Sequence, residues 1–304
     1  MRAIVADGSG RAVIRDVEDP TAGAGEALVE VEAFSLNRGE LNRIRSAQRG
    51  WRPGWDVAGR VVEAAGEGPG EGSRVVGIVE GGGWAETVAV RTDWLAELPP
   101  AVSSAQAAAL PTAALTALRM LRLGIGALGR RVAVTGAAGG VGRFAVQLAR
   151  LGGAHVTAIA GSEERAEGLR ELGADEVVTR FEDAAGPFDL VLESAGGDSL
   201  AHLATRLELD GMLVCFGNSS NRPTTFPDVR DFYLGGSRRI QAFTVFHGFA
   251  TDPPGRDLRY LAELVALGRL DPQVEATMPW TELDEALVRL ADRSVRGKLV
   301  LTVP

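Results

Sequence analysis

Up to about residue 98 the chain alternates short apolar blocks rich in β-branched residues, at 27–31, 57–62 and 75–79, with Gly, Pro and Asp; glycine-rich turns fall at 66–72 and 81–83. Blocks that short between turn formers predict strands, hence a compact β-rich domain. The texture changes at Ser103, a helix-capping residue followed by the alanine-rich stretch 105–110, and Pro111 interrupts before a second helical stretch from Ala113. From Arg131 onward, strand-like runs at 132–135, 156–160, 176–178, 190–192 and 213–216 alternate with helical segments. That alternation predicts a parallel sheet covered on both faces. After Val245 the pattern changes again, to a helix at 257–267, a Pro-containing strand at 274–279, a helix at 284–291 and a strand at 298–303. These last elements are expected to return to the first domain. Residues 1–110 and 245–304 then form a discontinuous β-rich domain around an inserted α/β domain, 111–244.

The 304 residues are 45% hydrophobic, enough for a core in each domain. Forty acidic residues against 32 basic give a net charge of −8, which opposes binding to nucleic acid or to an anionic membrane. Lys298 is the only lysine, so Schiff-base chemistry is nearly excluded. The single cysteine, Cys215, excludes an internal disulfide and reads as a packing residue in an apolar strand. The histidines, His155, His202 and His247, show no H-x3-H spacing, and no metal site is expected from them. Residues 1–7 turn polar too early for a signal peptide, and no run approaches roughly 20 apolar residues, so a cytoplasmic protein is expected.

The most informative segment is Val132-Ala-Val-Thr-Gly136-Ala-Ala-Gly139-Gly140-Val141-Gly142, a strand running into glycines and then a helix. On that helix Val141, Phe144, Ala145, Leu148 and Ala149 share one apolar face. Glycines there permit a tight turn and let the N–H groups at the helix start hold a pyrophosphate. The second strand ends Ala160-Gly161-Ser162 without the carboxylate that NAD-selective sites place against the ribose 2′-hydroxyl. Ser162 and Arg165 offer donors to a 2′-phosphate instead, and NADP(H) is the expected cofactor. Ser162 equally suits a helix N-cap, with Glu163 and Glu164 in the first turn, and Arg165 a solvated position. The glycine spacing also fits the short-chain dehydrogenases. Their Tyr-x3-Lys is missing, since Tyr233 and Tyr260 are followed at the fourth position by Ser237 and Leu264.

With Leu110-Pro-Thr-Ala-Ala-Leu-Thr116-Ala, Gly136 to Ala149, Pro53-Gly-Trp-Asp56-Val-Ala-Gly59, Gly211-Met-Leu-Val-Cys-Phe-Gly217 and Gly297-Lys-Leu-Val, the chain resembles the medium-chain dehydrogenase/reductase superfamily, most of all its zinc-independent quinone oxidoreductase and enoyl reductase branch. The resemblance implies a GroES-like catalytic domain joined to a Rossmann domain. Aligned by eye, the catalytic zinc ligands of the superfamily's alcohol dehydrogenases fall on Asn37, Trp55 and Thr112, none of which holds Zn²⁺ tightly. Asn37 matches the Asn of an N-x-x-D segment near the nicotinamide ribose and the substrate oxygen, and Glu40 stands where Asp is usual. Arg38 replaces a tyrosine that some relatives offer as proton donor; it could polarise a carbonyl or be simply solvated.

By the same resemblance Thr116 approaches the nicotinamide, Gly139, Gly140 and Val141 the pyrophosphate, Ser194, Gly217 and Asn218 the ribose, and Phe243 the carboxamide edge. Arg180 falls where relatives carry an adenine-contacting Tyr, and reads equally as an exposed surface Arg. Trp51, Trp55 and Trp84 are candidates for an apolar acceptor pocket, with core packing as their other reading. The expected activity is metal-free hydride transfer from NADPH to a quinone or α,β-unsaturated carbonyl, with Asn37 donating a hydrogen bond to the developing charge. A dedicated biosynthetic enoyl reductase, or an NADPH-binding protein without turnover, are the other readings. The apolar stretch 239–246 is expected to be a sheet edge that pairs in a homodimer.

Overall fold

A computed structural model describes residues 1–124, 126–226, 230 and 236–304. They fall into two units, Met1–Leu115 with Gly248–Pro304, and Thr116–His247. The first begins with an antiparallel ribbon of β1 (Arg2–Ala6) and β2 (Ala12–Asp16). Then come β3 (Glu26–Ser35), α1 (Arg38–Ile44), β4 (Asp56–Glu63), β5 (Arg74–Ile78), β6 (Thr87–Arg91), β7 (Leu95–Glu97), α2 (Ser104–Ala108) and α3 (Pro111–Leu123). Ser103 caps α2 as its sequence suggests: its hydroxyl accepts from the Gln106 N–H, and the Gln106 side chain accepts from the Ser103 N–H at 2.9 Å. Pro111 opens α3 instead of merely interrupting the chain, at a position where no N–H is needed.

In the second unit β8 (Arg131–Thr135), α4 (Gly140–Leu151), β9 (His155–Ile159), α5 (Glu163–Ala166), β10 (Glu176–Val178), β11 (Phe188–Glu193), α6 (Gly197–Thr205), β12 (Leu207–Cys215) and β13 (Arg239–Ala242) alternate. Their strands form one parallel sheet in the order β10-β9-β8-β11-β12-β13. Strand order reverses between β8 and β11, the switch point where the carboxyl ends of parallel strands leave a crevice. The edge strand is shorter than expected: Arg239–Ala242 pair with β12, Phe243 keeps one N–H bond to the Cys215 carbonyl, and the strand does not continue through 244–246.

The chain then re-enters the first unit with α7 (Gly255–Ala266), β14 (Val274–Pro279), α8 (Leu283–Ala291) and β15 (Lys298–Thr302). The large sheet of that unit runs β14-β15-β3-β4-β5-β7, with β6 also on β3. β15 lies antiparallel to β3, setting Val300 opposite Ser35, and β3 lies antiparallel to β4. Phe34, Val57, Val75, Trp84, Trp280, Leu299 and Leu301 fill the core below. Among the described residues no helix is long and apolar enough to cross a membrane.

Candidate functional site

The glycine turn after β8 is built by exclusion of side chains. Gly136 has φ +59°, and a Cβ there would lie 2.5 Å from the Ser194 hydroxyl. A Cβ on Gly142 would lie 2.3 Å from the Gly136 carbonyl and 2.6 Å from Ala137 Cα. Gly139 is the N-cap of α4, and Gly140, Val141 and Gly142 follow in its first turn, whose N–H groups have no partner within the helix. Phe144, Ala145, Leu148 and Ala149 bury the other face of α4. The turn is therefore an open cradle of N–H groups at a positive helix end, fit for a pyrophosphate.

A second loop is locked to it by a residue that the sequence did not single out. Glu193, the last residue of β11 and fully buried, accepts from the Ala195 and Gly196 N–H groups and the Ser199 hydroxyl at 2.9–3.0 Å, and from Thr135 Oγ1 at 3.3 Å. Thr135 Oγ1 in turn accepts from the Ser194 N–H at 2.7 Å, so the ends of β8 and β11 are tied. Gly217 and Asn218, after β12, join them: the Ser219 N–H donates to the Ser194 carbonyl at 2.9 Å, and a Cβ on Gly196 would strike Asn218 Oδ1. Gly136, Ser194, Gly217 and Asn218 thus line the carboxyl edge of the sheet. Ser162 does cap α5, its hydroxyl accepting from the Arg165 N–H at 3.3 Å, which leaves its own O–H as a donor; Gly161 before it is exposed and open. Arg180 is exposed and its guanidinium faces Glu182 at 3.6 Å. Phe243 is half-buried after β13, its N–H donating to the Cys215 carbonyl, and Thr116 is buried on α3. Burial pushes the Cys215 thiol up, against reactivity. Tyr233 lies outside the described residues.

In the first unit the candidate residues converge on two buried carboxyls. Asp56, at the start of β4, is fully buried and takes hydrogen bonds from the Ser35 hydroxyl at 2.5 Å, Asn37 Nδ2 at 2.8 Å, and the N–H and hydroxyl of Thr112 at 2.8 and 2.5 Å. Thr112 sits in the first turn of α3, so the carboxylate also faces a helix N-terminus. Glu40, equally buried, accepts from the Asn37 N–H at 2.8 Å, Asn37 Nδ2 at 3.3 Å and the Trp55 N–H at 2.7 Å. The cation of the cluster is Lys298, from β15. Its ammonium donates to Asn37 Oδ1 at 2.6 Å and the Leu36 carbonyl at 3.0 Å, and lies 3.5 Å from Asp56. Burial and then the Asp56 charge push the Glu40 carboxyl up to about 8, against the pull of Lys298. Burial pulls the Lys298 ammonium down, against the attraction of both carboxyls.

This arrangement corrects several expectations. Asn37 has no hydrogen left for an acceptor: both amide hydrogens go to carboxyls, and the oxygen faces the only ammonium side chain in the protein, which also fixes the amide's orientation. Glu40 is sealed from solvent. Arg38 is exposed, its guanidinium donating to the Leu290 carbonyl at 3.3 Å. Trp84 is a core residue, fully buried and stacked on Phe34 with centroids 5.5 Å apart, so it lines no pocket. Trp51 packs half-buried against the same core under the Arg43 guanidinium, and Trp55 lays its indole where a Cβ on Gly39 would be, 2.4 Å away. Asp56 and Lys298 were missed. The signal was present in Lys298 as the lone lysine among 32 basic residues.

A parallel sheet with a glycine cradle at its switch point, in a chain that also folds a β-rich unit, is the arrangement of a dinucleotide-binding oxidoreductase of two-domain type. Family comparison agrees: residues 23–100 match the alcohol dehydrogenase GroES-like domain and residues 172–301 the zinc-binding dehydrogenase domain. A chloroplastic quinone oxidoreductase of Triphysaria versicolor is 31% identical over 99% of this chain and 98% of its own. A protein of the spectinabilin polyketide synthase system of Streptomyces orinoci is 35% identical over 92% of this chain, which spans 13% of that much longer protein. Among solved structures, the quinone oxidoreductase of Thermus thermophilus, determined also in complex with NADPH, superimposes with a TM-score of 0.79 at 28% identity, covering all of both chains. The chain belongs to the medium-chain dehydrogenase/reductase superfamily, on its quinone-oxidoreductase-like branch.

Proposed function

We propose that the protein reduces quinones or α,β-unsaturated carbonyls with NADPH as hydride donor and without a metal ion. The observation that carries this reading is the Lys298 ammonium on Asn37, Leu36 and Asp56. By the superfamily resemblance, Asn37, Trp55 and Thr112 stand at the zinc-ligand positions of the alcohol dehydrogenases. Here they present an amide, an indole and a hydroxyl to carboxyls that already hold a cation. That donor set does not fit Zn²⁺: amide, indole and hydroxyl are poor ligands for it, and the carboxyls that could bind it already accept hydrogen bonds beside an ammonium that would repel the ion. With no Lewis acid to lower an alcohol's pKa or polarise a saturated carbonyl, the reactions served best are those whose negative charge spreads through a conjugated system.

The residues that would hold the cofactor are the Gly140–Gly142 N–H groups at the pyrophosphate, Ser162 and Arg165 at the 2′-phosphate, and Ser194 and Asn218 at the ribose. The Thermus relative's complex with NADPH supports the choice of that cofactor. When bound, the dihydronicotinamide supplies a hydride, which adds to the acceptor while a proton from water completes the reduction. The chain's own share is binding and orientation. We further propose a homodimer through β13, whose residues are all exposed at the edge of the sheet.

Chelator-treated protein should oxidise NADPH with 1,4-naphthoquinone or a simple enone and leave saturated aldehydes and primary alcohols untouched. Metal-dependent alcohol oxidation would refute the proposal, and NADPH binding without turnover on any acceptor would leave a binding protein. The polyketide synthase relative supports a narrower second reading, a biosynthetic enoyl reductase. A kcat/KM far higher on an enoyl thioester than on the matching free enone would favour it.

A further inference from the structure

Glu193 is a buried acid that the chemistry above does not use. It ends β11 and Thr135 ends β8, so the two face each other across the switch point where the strand order reverses. No cation pairs with Glu193 among the described residues. Four donors hold it instead. Oε1 accepts from the Ala195 N–H and the Ser199 hydroxyl at 3.0 Å and from the Thr135 hydroxyl at 3.3 Å, and Oε2 accepts from the Gly196 N–H at 2.9 Å. Every group aimed at it is a donor, so the pocket is built for the carboxylate form. A buried acid is a costly way to fill space, and an apolar side chain of the same volume would do so at less cost. What the carboxylate adds is its hold on the chain around it. Gly196 and Gly197 are kept at φ +71° and +55°. The next loop rests on this one: the Ser219 and Ser220 N–H groups donate to the Ser194 and Ala195 carbonyls at 2.9 and 2.8 Å, and the Asn218 carboxamide lies where a Cβ on Gly196 would be. One carboxylate thus fixes the 194–197 loop, and through it the 217–220 loop, against the end of β8.

The strand order says which part of a dinucleotide these loops serve. With the pyrophosphate at the start of α4, after β8, and the 2′-phosphate beyond β9, the other half of the cofactor extends to the opposite side of β8, over β11 and β12. We propose that Glu193 is a positioning residue for the nicotinamide half of the cofactor, touching none of it and holding both loops that receive it. The proposal rests on the cofactor placement given above. Glutamine cannot stand in for Glu193. It keeps the shape but turns one oxygen into an amide donor, which in either orientation faces a backbone N–H, that of Ala195 or that of Gly196.

The test measures by calorimetry the binding of NADPH and of adenosine 2′,5′-bisphosphate, a probe that lacks the nicotinamide half. Glu193→Gln should weaken NADPH by about tenfold or more and leave the bisphosphate within about twofold, because the stranded N–H belongs to a loop the bisphosphate does not reach. Thr135→Val keeps the branched shape of the strand residue while removing the acceptor of the Ser194 N–H and one of the four donors to Glu193, and should show the same selective loss. NADPH emission, which reports the dihydronicotinamide, should shift on binding to wild-type protein and move back toward that of the free cofactor in saturated Glu193→Gln. Equal losses on both ligands would make Glu193 a support of the fold alone, and NADPH binding unchanged in both variants would separate it from the cofactor; either overturns the proposal. If Glu193→Gln does not fold, Thr135→Val decides between the same outcomes. Wild-type protein that binds neither ligand refutes the cofactor reading itself, and the proposal with it.

Discussion

Replacing Lys298 by Met keeps the length and apolar stem of the side chain and deletes its ammonium. That ammonium makes two hydrogen bonds, at 2.6 and 3.0 Å, and lies 3.5 Å from Asp56. Lys298 is 3% exposed and Asp56 and Glu40 are fully buried, so solvent does not screen the loss. Removing one partner of such a pair strands the other's charge and costs about 3–5 kcal/mol, a large part of the roughly 5–15 kcal/mol that holds a typical protein folded. The cost depends on pH. Glu40 titrates near 8 in the folded protein against 4.5 for the free group, so its contribution is complete below 4.5 and is lost as pH rises through 8. Without the ammonium's pull the folded Glu40 carboxyl holds its proton to still higher pH, so the variant goes on losing stability where wild type has levelled off. The gap from wild type is therefore steady up to neutrality and widens as pH rises past about 8. All five tryptophans, Trp51, Trp55, Trp84, Trp94 and Trp280, lie in the unit that holds the cluster, so urea unfolding followed by tryptophan fluorescence reads that unit alone. A variant midpoint equal to wild type near neutral pH, or a gap that does not widen as pH rises past about 8, refutes the reasoning.

Gly142→Ala should force the glycine turn open, since its Cβ would meet the Gly136 carbonyl at 2.3 Å. NADPH affinity measured by fluorescence titration should fall by at least about tenfold, the loss expected when several phosphate hydrogen bonds are misaligned. Arg165→Ala should weaken NADPH by about 1.5–3 kcal/mol and leave NADH nearly unchanged; equal losses on both would remove Arg165 from the 2′-phosphate. Ile240→Lys, at an exposed position of β13, should convert a two-chain mass in light scattering to a one-chain mass, and a wild-type monomer would end the dimer proposal.

Much of the fold is legible in the sequence because its signals are local. The strand at 274–279 and the capped helix after Ser103 each depend on neighbours a few residues away, and the glycine turn needs only its own spacing. The carboxyl cluster is different. Asp56 and Lys298 meet because β15 pairs with β3 and β3 with β4, pairings that no local pattern encodes. Asn37 illustrates the consequence: from its segment alone it reads as a donor to substrate, and only its long-range partners reveal that its hydrogens are taken. Trp84 fails in the same way, because an indole facing Phe34 in the core has the same local sequence as one facing a pocket.

The insertion of one unit within the other also sets an order of assembly during synthesis. Residues 116–247 leave the ribosome as a complete unit, whereas the first 115 residues must wait for β14 and β15 to finish their sheet. Until Lys298 arrives, Asp56 and Glu40 have no cation to accompany them into a core. A part made before the inserted unit is thus completed after it, and through that interval the 33–35 end of β3, which β15 will pair, stays open to any chaperone, or any neighbouring nascent chain, that binds open strands.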